Sequence, residues 1–328
     1  MPDAIDTVEP TAAAAPRDLA TGARRAPVAR SDRAYWSVLY VTAGVFVFIC
    51  VAFLVTLISS SLPAWRHSGI GLITSSNWDP QNSDYGALSL IVGTLETSVI
   101  AMVLAIPIGI TAAVSIVHLV PQRLQTPLSS FVELLAAVPS VVYGMVGVVV
   151  LAPYFQADVL PWLQSVTGGF FLFSGTVSGY SILLAGVVLT IMVLPTIVAL
   201  SRDAIARVPQ DQVEGALSVG ASKWQTLYKV VVPDARAGIT GAVTLAAARA
   251  LGETIAVAMV IGGSYHLGSS IAQGGATLSA TIAQTFDGAS SLTISALAAL
   301  AVILIAITAT VNYVGRRMLH RAERGAYL

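Results

Sequence analysis

The sequence predicts an all-α membrane protein with six transmembrane helices and a cytoplasmic helical hairpin between the fourth and the fifth. The 328 residues are 55% hydrophobic and only 10% charged, whereas soluble domains carry about 25% charged residues. Six apolar stretches are each long enough to cross a bilayer, which takes about 20 residues. So few charges cannot cover a soluble surface, and we therefore expect an integral membrane protein.

The first apolar stretch runs from Tyr35 to Ser60. Residues 1–33 precede it and lack apolar periodicity, which favours a disordered tail. The stretch exceeds the about 7–15 residues of a signal-peptide core, so we expect it to span the membrane. We predict the other five spans near Leu88–Val117, Ser129–Pro153, Ser178–Leu200, Gly238–Gly262 and Leu292–Gly315.

The positive charges are distributed unevenly over this topology. Of the 17 Lys and Arg residues, all but Arg66 and Arg249 fall on one side of a six-span arrangement. Loops rich in Lys and Arg usually face the cytoplasm, so we expect both termini and the hairpin on the cytoplasmic side. In the last exterior loop, residues 269–286 form either a short helix that returns toward the membrane or an ordinary loop.

Several kinds of site are excluded or disfavoured. The two lysines are followed by Trp and Val, so the Gly-Lys-Ser/Thr of a phosphate-binding loop is missing and the chain is not itself an ATPase. The single Cys50 excludes an internal disulfide, and the four histidines show no ligand spacing. We expect no catalytic activity, no metal, no cofactor held by the chain itself and no nucleic-acid partner.

The hairpin is the segment EGALSVGASKWQTLYKVVVP, residues 214–233. We predict a short helix over Glu214–Val219, ended by a left-handed turn at Gly220. Ser222 can cap a second helix. One apolar stripe with helical spacing follows in that helix: Trp224, Leu227, Tyr228 and Val231. The hairpin is either a docking surface for a soluble partner or an ordinary amphipathic connector.

Arg249 is the one basic residue within a predicted span. Such an Arg costs about 2.5–3.5 kcal/mol on insertion scales, so it needs a partner or a task. One interpretation is a structural ion pair with Glu253, four residues on and on the same helix face, or with Glu133. The other is a residue of the substrate pathway that receives an oxyanion, since a guanidinium meets two oxygens at once. In that interpretation Glu253 and Glu133 belong to the pathway as well.

Prolines interrupt two of the predicted spans, at Pro107 and Pro139. A proline removes one helical hydrogen bond, here leaving the carbonyl of Leu135 free below Pro139. Broken helices of this kind accompany substrate paths in transporters, and Ser140 and Tyr143 would add hydroxyls beside the break. The alternative is a kink that serves packing alone.

The hairpin resembles the cytoplasmic "EAA" motif of ABC importer permeases of type I. The spacing is complete at Glu214, Ala216, Gly220, Val230, Val232 and Pro233, with Gly215 in place of the usual Ala. The resemblance implies that the hairpin docks into a cleft of a cytoplasmic ATPase. It assigns the following residues to that contact: Glu214, Gly215, Ala216, Gly220, Trp224 and Pro233.

Two further stretches, ELLAAVPSVVYG at 133–144 and RALGETIAVAMVIGG at 249–263, resemble the PstC permeases of phosphate-specific importers. The resemblance covers about 88–317, which implies four parts: a tail (1–33), a first helix with an exterior loop (34–87), the permease domain (88–317) and a C-terminal tail (318–328). It implies a bacterial inner membrane location, phosphate as substrate, a PstA-like sister permease, a PstB-like ATPase dimer that binds the ATP, and a PstS-like exterior binding protein.

Three alternatives remain open. The chain could be the sister PstA-type permease, which shares part of both stretches, or a permease for sulfate or molybdate. It could be a self-sufficient secondary transporter or channel, although the scarcity of intramembrane acids argues against that class. A membrane scaffold or phosphate sensor is the third, and no residue favours it.

Overall fold

The computed structural model describes residues 30–168, 170–175, 178–268 and 270–324. Most of the predicted N-terminal tail and the end of the C-terminal one, at 1–29 and 325–328, lie outside the described residues. The chain divides into two compact units, Met1–Phe53 and Leu54–Leu328. Within the first unit, the described part is the beginning of helix α1, which continues into the second unit. The core and the candidate site described below lie in the second unit.

The described residues are almost entirely helical. The helices are α1 (Arg30–Ser68), α2 (Gly71–Thr74), α3 (Leu88–His118), α4 (Gln122–Ala136), α5 (Ser140–Val166), α6 (Ile182–Ile205), α7 (Gln210–Ser218), α8 (Lys223–Asp234), α9 (Arg236–Gly252), α10 (Ile255–Val260), α11 (Leu278–Thr285) and α12 (Ser291–Arg324). A 3₁₀ turn lies at Phe171–Phe173. Strands β1 (Trp78–Asp79) and β2 (Asp84–Tyr85) pair antiparallel, with Trp78 opposite Tyr85.

Five of these helices are long and apolar enough to cross a membrane: α1, α3, α5, α6 and α12. Helices α8 and α9 meet at 70°, and together they make a sixth candidate span if the bent pair counts as one. The predicted class, a helical membrane protein, agrees with this count of five or six within the described residues.

The third predicted span, Ser129–Pro153, is wrong. Helix α4 ends at Ala136, and a new helix begins at Ser140 and continues to Val166. Pro139 precedes it with φ −58° and ψ 139°, because a proline disfavours helix in the residue before it and suits a helix start. The proline therefore separates two helices instead of kinking one, whereas Pro107 stays inside α3.

The fifth predicted span, Gly238–Gly262, is also interrupted. Helix α9 ends at Gly252, Glu253 is extended with ψ 131°, and α10 begins at Ile255. The 17 residues of α9 extend about 25 Å at 1.5 Å per residue, slightly less than the about 30 Å of a bilayer's hydrocarbon core. The short helix considered within 269–286 is present as α11.

Helix α6 is the centre of the largest apolar core. In its most apolar 18-residue stretch, 67% of the residues are buried. The side chains of Leu184, Leu189 and Met192 are fully buried. Residues of α3, α5, α9 and α10 pack around it in one cluster. This central helix fixes the positions of α5 and α9, which carry the residues of the candidate site.

Candidate functional site

Arg249 lies in the last turn of α9, half-buried. Its Nη1 donates a hydrogen bond to Oγ1 of Thr196 on α6, at 3.2 Å. In the part of the chain that the structure describes, both ion pairs belong to Arg202, so Arg249 has no carboxylate partner there. The carbonyl end of a helix favours a cation, which compensates part of the cost of this charge.

The two stretches that carry the resemblance, 133–144 and 249–263, pack against each other. A Cβ at Gly144 would lie 2.7 Å from Sδ of Met259 and 3.0 Å from Cα of Ala256. A larger residue at this position would require the Met259 side chain to move and Ala256 to shift by a few tenths of an ångström. Tyr143, next to Gly144, is near enough to Arg249 for the two groups to interact electrostatically, and α5 packs against α10 at Gly144.

Tyr143 also closes the gap that Pro139 creates. Its hydroxyl donates to the carbonyl oxygen of Leu135 at 2.8 Å, the group that the sequence predicted to be free. Ser140, the first residue of α5, is half-buried beside it. The break between α4 and α5 is thus bridged by a side chain from the following turn.

Glu253 shapes the second break, between α9 and α10. Its Oε1 accepts the backbone N–H of Ala256 at 3.2 Å, which caps α10. Its carbonyl oxygen accepts the hydroxyl of Ser279, on α11, at 2.6 Å. The prediction that Glu253 follows Arg249 on one helix face is wrong, because α9 ends before it.

Glu133 is paired with Arg202, on α6, and not with Arg249. The Oε1 of Glu133 is 3.1 Å from Nη2 of Arg202, which also contacts Oδ1 of Asp203 at 2.8 Å. The side chain of Arg202 is 17% exposed and that of Glu133 59%. This pair ties the amphipathic helix α4 to the central helix, so the expected structural ion pair exists but uses another arginine.

The hairpin consists of α7 and α8, joined by a turn at Val219–Ala221. Gly220 has φ +89°, a left-handed conformation that suits glycine. Ser222 accepts the N–H of Gln225, and the Gln225 side chain accepts the N–H of Ser222. Ser222 thus caps α8 as predicted, and Gln225 completes a capping box. Helix α7 begins at Gln210, four residues earlier than expected.

The predicted apolar stripe of the hairpin is divided between two faces. Leu227 and Val231 are 4% and 0% exposed and belong to a core cluster with residues of α3 and α6. Trp224 and Tyr228 are 60% and 43% exposed, and their rings are in tilted contact, with centroids 4.2 Å apart and planes at 45°. A wide π-helical turn at Leu227–Val231 replaces the regular helical spacing on which the prediction depended.

The remaining residues of the predicted partner contact are accessible. Glu214, Gly215, Gly220 and Pro233 are exposed, and Ala216 is half-buried. A Cβ at Gly215 would meet nothing within 4 Å. The buried side chains of Leu227 and Val231 attach the hairpin to the core, while the surface on its other side is exposed.

Sequence reasoning missed Thr196, Arg202 and Ser279, which contact Arg249, Glu133 and Glu253 respectively. Hydroxyl residues are common in apolar helices, and no spacing marks these as partners of residues 26 to 69 positions away. Among the described residues no group of three or more His, Cys, Asp and Glu could hold a metal ion.

The chain matches a family model and curated relatives over most of its length. The model described as binding-protein-dependent transport system inner membrane component matches residues 105–320. The phosphate transport system permease protein PstC of Pasteurella multocida (strain Pm70) is 37% identical over 286 residues, 86% of this chain and 89% of that protein. The PstC protein of Mesorhizobium japonicum is 39% identical over 274 residues, 82% of this chain and 84% of that protein.

A solved structure shares the fold. The bacterial alginate ABC transporter, crystallised with an alginate pentasaccharide-bound periplasmic protein, aligns with a TM-score of 0.60 at 16% identity. The alignment covers 88% of this chain and 97% of that chain. Together with the sequence matches, this places the chain among the inner membrane components of binding-protein-dependent transport systems: it belongs to the permease family of ABC importers.

Proposed function

We propose that this chain is the PstC-type permease subunit of an ATP-driven phosphate importer and forms half of the translocation pathway. The relatives named above are phosphate transport permeases, and the stretches 133–144 and 249–263 carry the same resemblance. The alternatives are a PstA-type subunit or a permease for sulfate or molybdate. The EAA-like hairpin favours an ATP-driven permease over a self-sufficient transporter.

The observation that carries the proposal is the environment of Arg249. A half-buried guanidinium contacts a single hydroxyl and no carboxylate among the described residues. Its remaining donors suit two oxygens of one anion. Tyr143 and Ser140 stand on the facing helix, and Glu253 holds the adjacent break. Pro139 starts that helix, and Glu133 acts at a distance by positioning α4 through Arg202.

For the topology we propose six spans, in which α9, continued beyond its break by α10, is the fifth. The hairpin, the α3–α4 turn and the C-terminal end then share one side, and their Lys and Arg residues make it the cytoplasmic side of the inner membrane. We place the permease domain at 88–317, preceded by the first helix and exterior loop at 34–87. The tails, 1–33 and 318–328, are cytoplasmic.

Coupling would occur through the exposed hairpin surface. We assign Glu214, Gly215, Ala216, Gly220, Trp224 and Pro233 to the contact with a PstB-like ATPase dimer, which binds the ATP, so the permease itself needs no cofactor. A PstA-like permease completes the pathway. An open polar pocket of about 440 Å³ between the β1–β2 turn and the start of α12, lined by Gln81, Gln284 and Asp287, lies on the exterior side, where a PstS-like binding protein would dock.

The test is uptake of radiolabelled phosphate by proteoliposomes that contain the chain with its co-purified partners. We expect uptake that requires ATP in the lumen of the proteoliposomes and the binding protein outside them. Excess sulfate or molybdate should leave the uptake rate unchanged. ATP-independent uptake by the chain alone would favour a secondary transporter or channel. Competition by sulfate or molybdate would reassign the substrate.

A further inference from the structure

Helix α11 begins beside the candidate spans and runs outward. The N–H of its first residue, Leu278, donates to Oγ1 of Thr94 at 3.0 Å. Thr94 is six residues into α3, about 9 Å from the start of that helix at 1.5 Å per residue. At the other end of α11, Gln284 and Thr285 line the exterior pocket of about 440 Å³. The first turn of α11 therefore lies inside the exterior surface, at the depth of the spans.

The first turn of α11 holds the break between α9 and α10. Ser279, which is 4% exposed, donates from Oγ to the carbonyl oxygen of Glu253 at 2.6 Å. Further out, the side-chain amide of Gln284 donates to the carbonyl oxygen of Ala258, on α10, at 3.1 Å. Helix α11 is thus bonded both to the break and to the helix that follows the break.

The position of Ser279 is fixed by its neighbours in the chain. Leu278 is fully buried in a cluster with residues of α3 and α12. A Cβ at Gly93 would overlap the carbonyl oxygen of Ala276, so the backbone that leads into α11 packs directly on α3. Helix α11 therefore offers Glu253 a hydroxyl at a fixed place.

A continuous helix is the alternative conformation of the broken segment. Residues 249–262 contain no proline, and in a continuous helix the carbonyl of Glu253 would accept the N–H of Val257, four residues on. The carboxylate of Glu253 would then lie one turn from Arg249 on the same face, where opposite charges attract. In the structure it instead accepts the N–H of Ala256 at 3.2 Å, and the break separates the two charges.

We propose that Ser279 is a positioning residue for transport: it holds the carbonyl of Glu253 and thereby keeps the Glu253 carboxylate away from Arg249. The guanidinium of Arg249, whose one hydrogen bond among the described residues goes to Thr196, then remains available for an anion. Ser279 acts through Glu253 and does not itself contact the anion. The inference rests on the proposed function, because it assigns Ser279 a part in anion binding at Arg249.

A double-mutant cycle tests this role by phosphate uptake in proteoliposomes with the co-purified partners. Ser279→Ala leaves the Glu253 carbonyl unpaired in the broken form, which favours the continuous helix, and uptake should fall about tenfold. Glu253→Gln alone should stay within about twofold of wild type, because its amide oxygen still accepts the Ala256 N–H. The double variant should recover to within about threefold, because a neutral amide removes the charge that attracts Arg249.

Three further variants control for a merely structural effect. Ser279→Thr keeps the hydroxyl and should transport normally. Ser61→Ala removes an equally buried serine whose hydrogen bond, to the carbonyl of Ile58, stays within α1, and it should leave uptake unchanged. Thermal unfolding verifies that each variant is folded. If Ser279→Ala is not, Ser279→Cys, whose thiol is a weak donor, replaces it in the uptake assay.

A second measurement reads the break without transport. The purified full-length chain, in nanodiscs, carries a nitroxide spin label at Ile255→Cys, the exposed first residue of α10. Cys50, the only natural cysteine, is replaced by serine. The mobility of the label should change when Ser279→Ala is added, because residue 255 then lies inside a continuous helix, and it should not change with Ser61→Ala.

Rescue by Glu253→Gln is the decisive result, since a purely structural loss at Ser279 would not be repaired by removing a charge elsewhere. The proposal is overturned if the double variant stays as slow as Ser279→Ala, if Ser279→Ala transports at the wild-type rate, or if it leaves the label unchanged. Absence of phosphate uptake by the wild-type chain would contradict the proposed function instead. The spectra would then still show whether Ser279 holds the break.

Discussion

Arg202 and Arg249 are two arginines at apolar helices with opposite surroundings. Arg202 contacts two carboxylates, Asp203 at 2.8 Å and Glu133 at 3.1 Å. Arg249 contacts the hydroxyl of Thr196 at 3.2 Å, and the described residues offer it no carboxylate. The first charge is neutralised inside the chain and joins α4 to α6, while the second remains available for an anion.

This difference separates a structural arginine from a candidate functional one more clearly than burial does, since both side chains are partly covered. An unpaired charge in an apolar region is costly, so it persists where it has a task. The following predictions compare the two arginines, beginning with the largest expected effect.

Replacing Arg249 with Gln should reduce phosphate uptake about a hundredfold, because losing the charged hydrogen bonds to an anion costs about 3 kcal/mol. Assembly should be unaffected, since no ion pair of the described chain is lost. The measurement is the initial uptake rate in proteoliposomes, with co-purification of the partners as control. Uptake at the wild-type rate would remove Arg249 from the pathway.

Replacing Arg202 with Gln should affect stability instead. Its partners are more than half exposed, at 59% and 52%, so we expect a loss of about 1 kcal/mol and uptake close to normal. Chemical unfolding in detergent measures the loss. Arg207→Gln, at an exposed arginine nearby, is the matched control. If Arg202→Gln abolished uptake in a folded protein, the contrast between the two arginines would fail.

Replacing Thr196 with Val should weaken transport by about threefold, or about 0.7 kcal/mol. Valine keeps the shape of the side chain and removes the hydroxyl that accepts a hydrogen bond from Arg249. The effect should appear in the half-saturating concentration of the binding-protein–phosphate complex. An effect as large as that of Arg249→Gln would mean that Thr196 itself contacts the anion.

Replacing Glu253 with Gln should change uptake less than about twofold, because an amide oxygen can still accept the Ala256 N–H. Glu253→Ala loses this cap and should lower stability by about 0.5 kcal/mol. The Gln variant removes the charge of Glu253 and keeps the hydrogen bond to Ala256, whereas the Ala variant removes both. A large transport defect in the Gln variant alone would restore Glu253 as a charged partner of the anion or of Arg249.

The two helix breaks explain how far sequence reasoning extends. The break before α5 has a local cause in Pro139. The sequence shows the proline and predicts a helix break there, but it places that break inside one span and not between two helices. The break at Glu253 has no proline; it is held by Ala256 and by Ser279, 26 residues away. Long-range contacts of this kind leave no periodic signal, so the span was predicted as continuous.

The hairpin illustrates the same limit within one short segment. Its glycine turn and its Ser222 cap follow from local chemistry and were predicted correctly. The stripe was not, since the π-helical turn and the neighbouring α3 and α6 decide which side chains are covered. Leu227 is buried and Trp224 exposed although both have the same apolar character.

The sequence by itself determined that the chain is a helical membrane protein, where its main apolar stretches lie, which permease family it resembles and where the hairpin turns. These properties follow from composition, stretch length and local capping, which act over a few residues. Only the tertiary structure decided that Glu133 pairs with Arg202, that Arg249 donates to Thr196, and that Glu253 accepts the N–H of Ala256 at the start of α10. Which acid meets which arginine depends on helix positions set by packing around α6, and packing joins residues far apart in the chain.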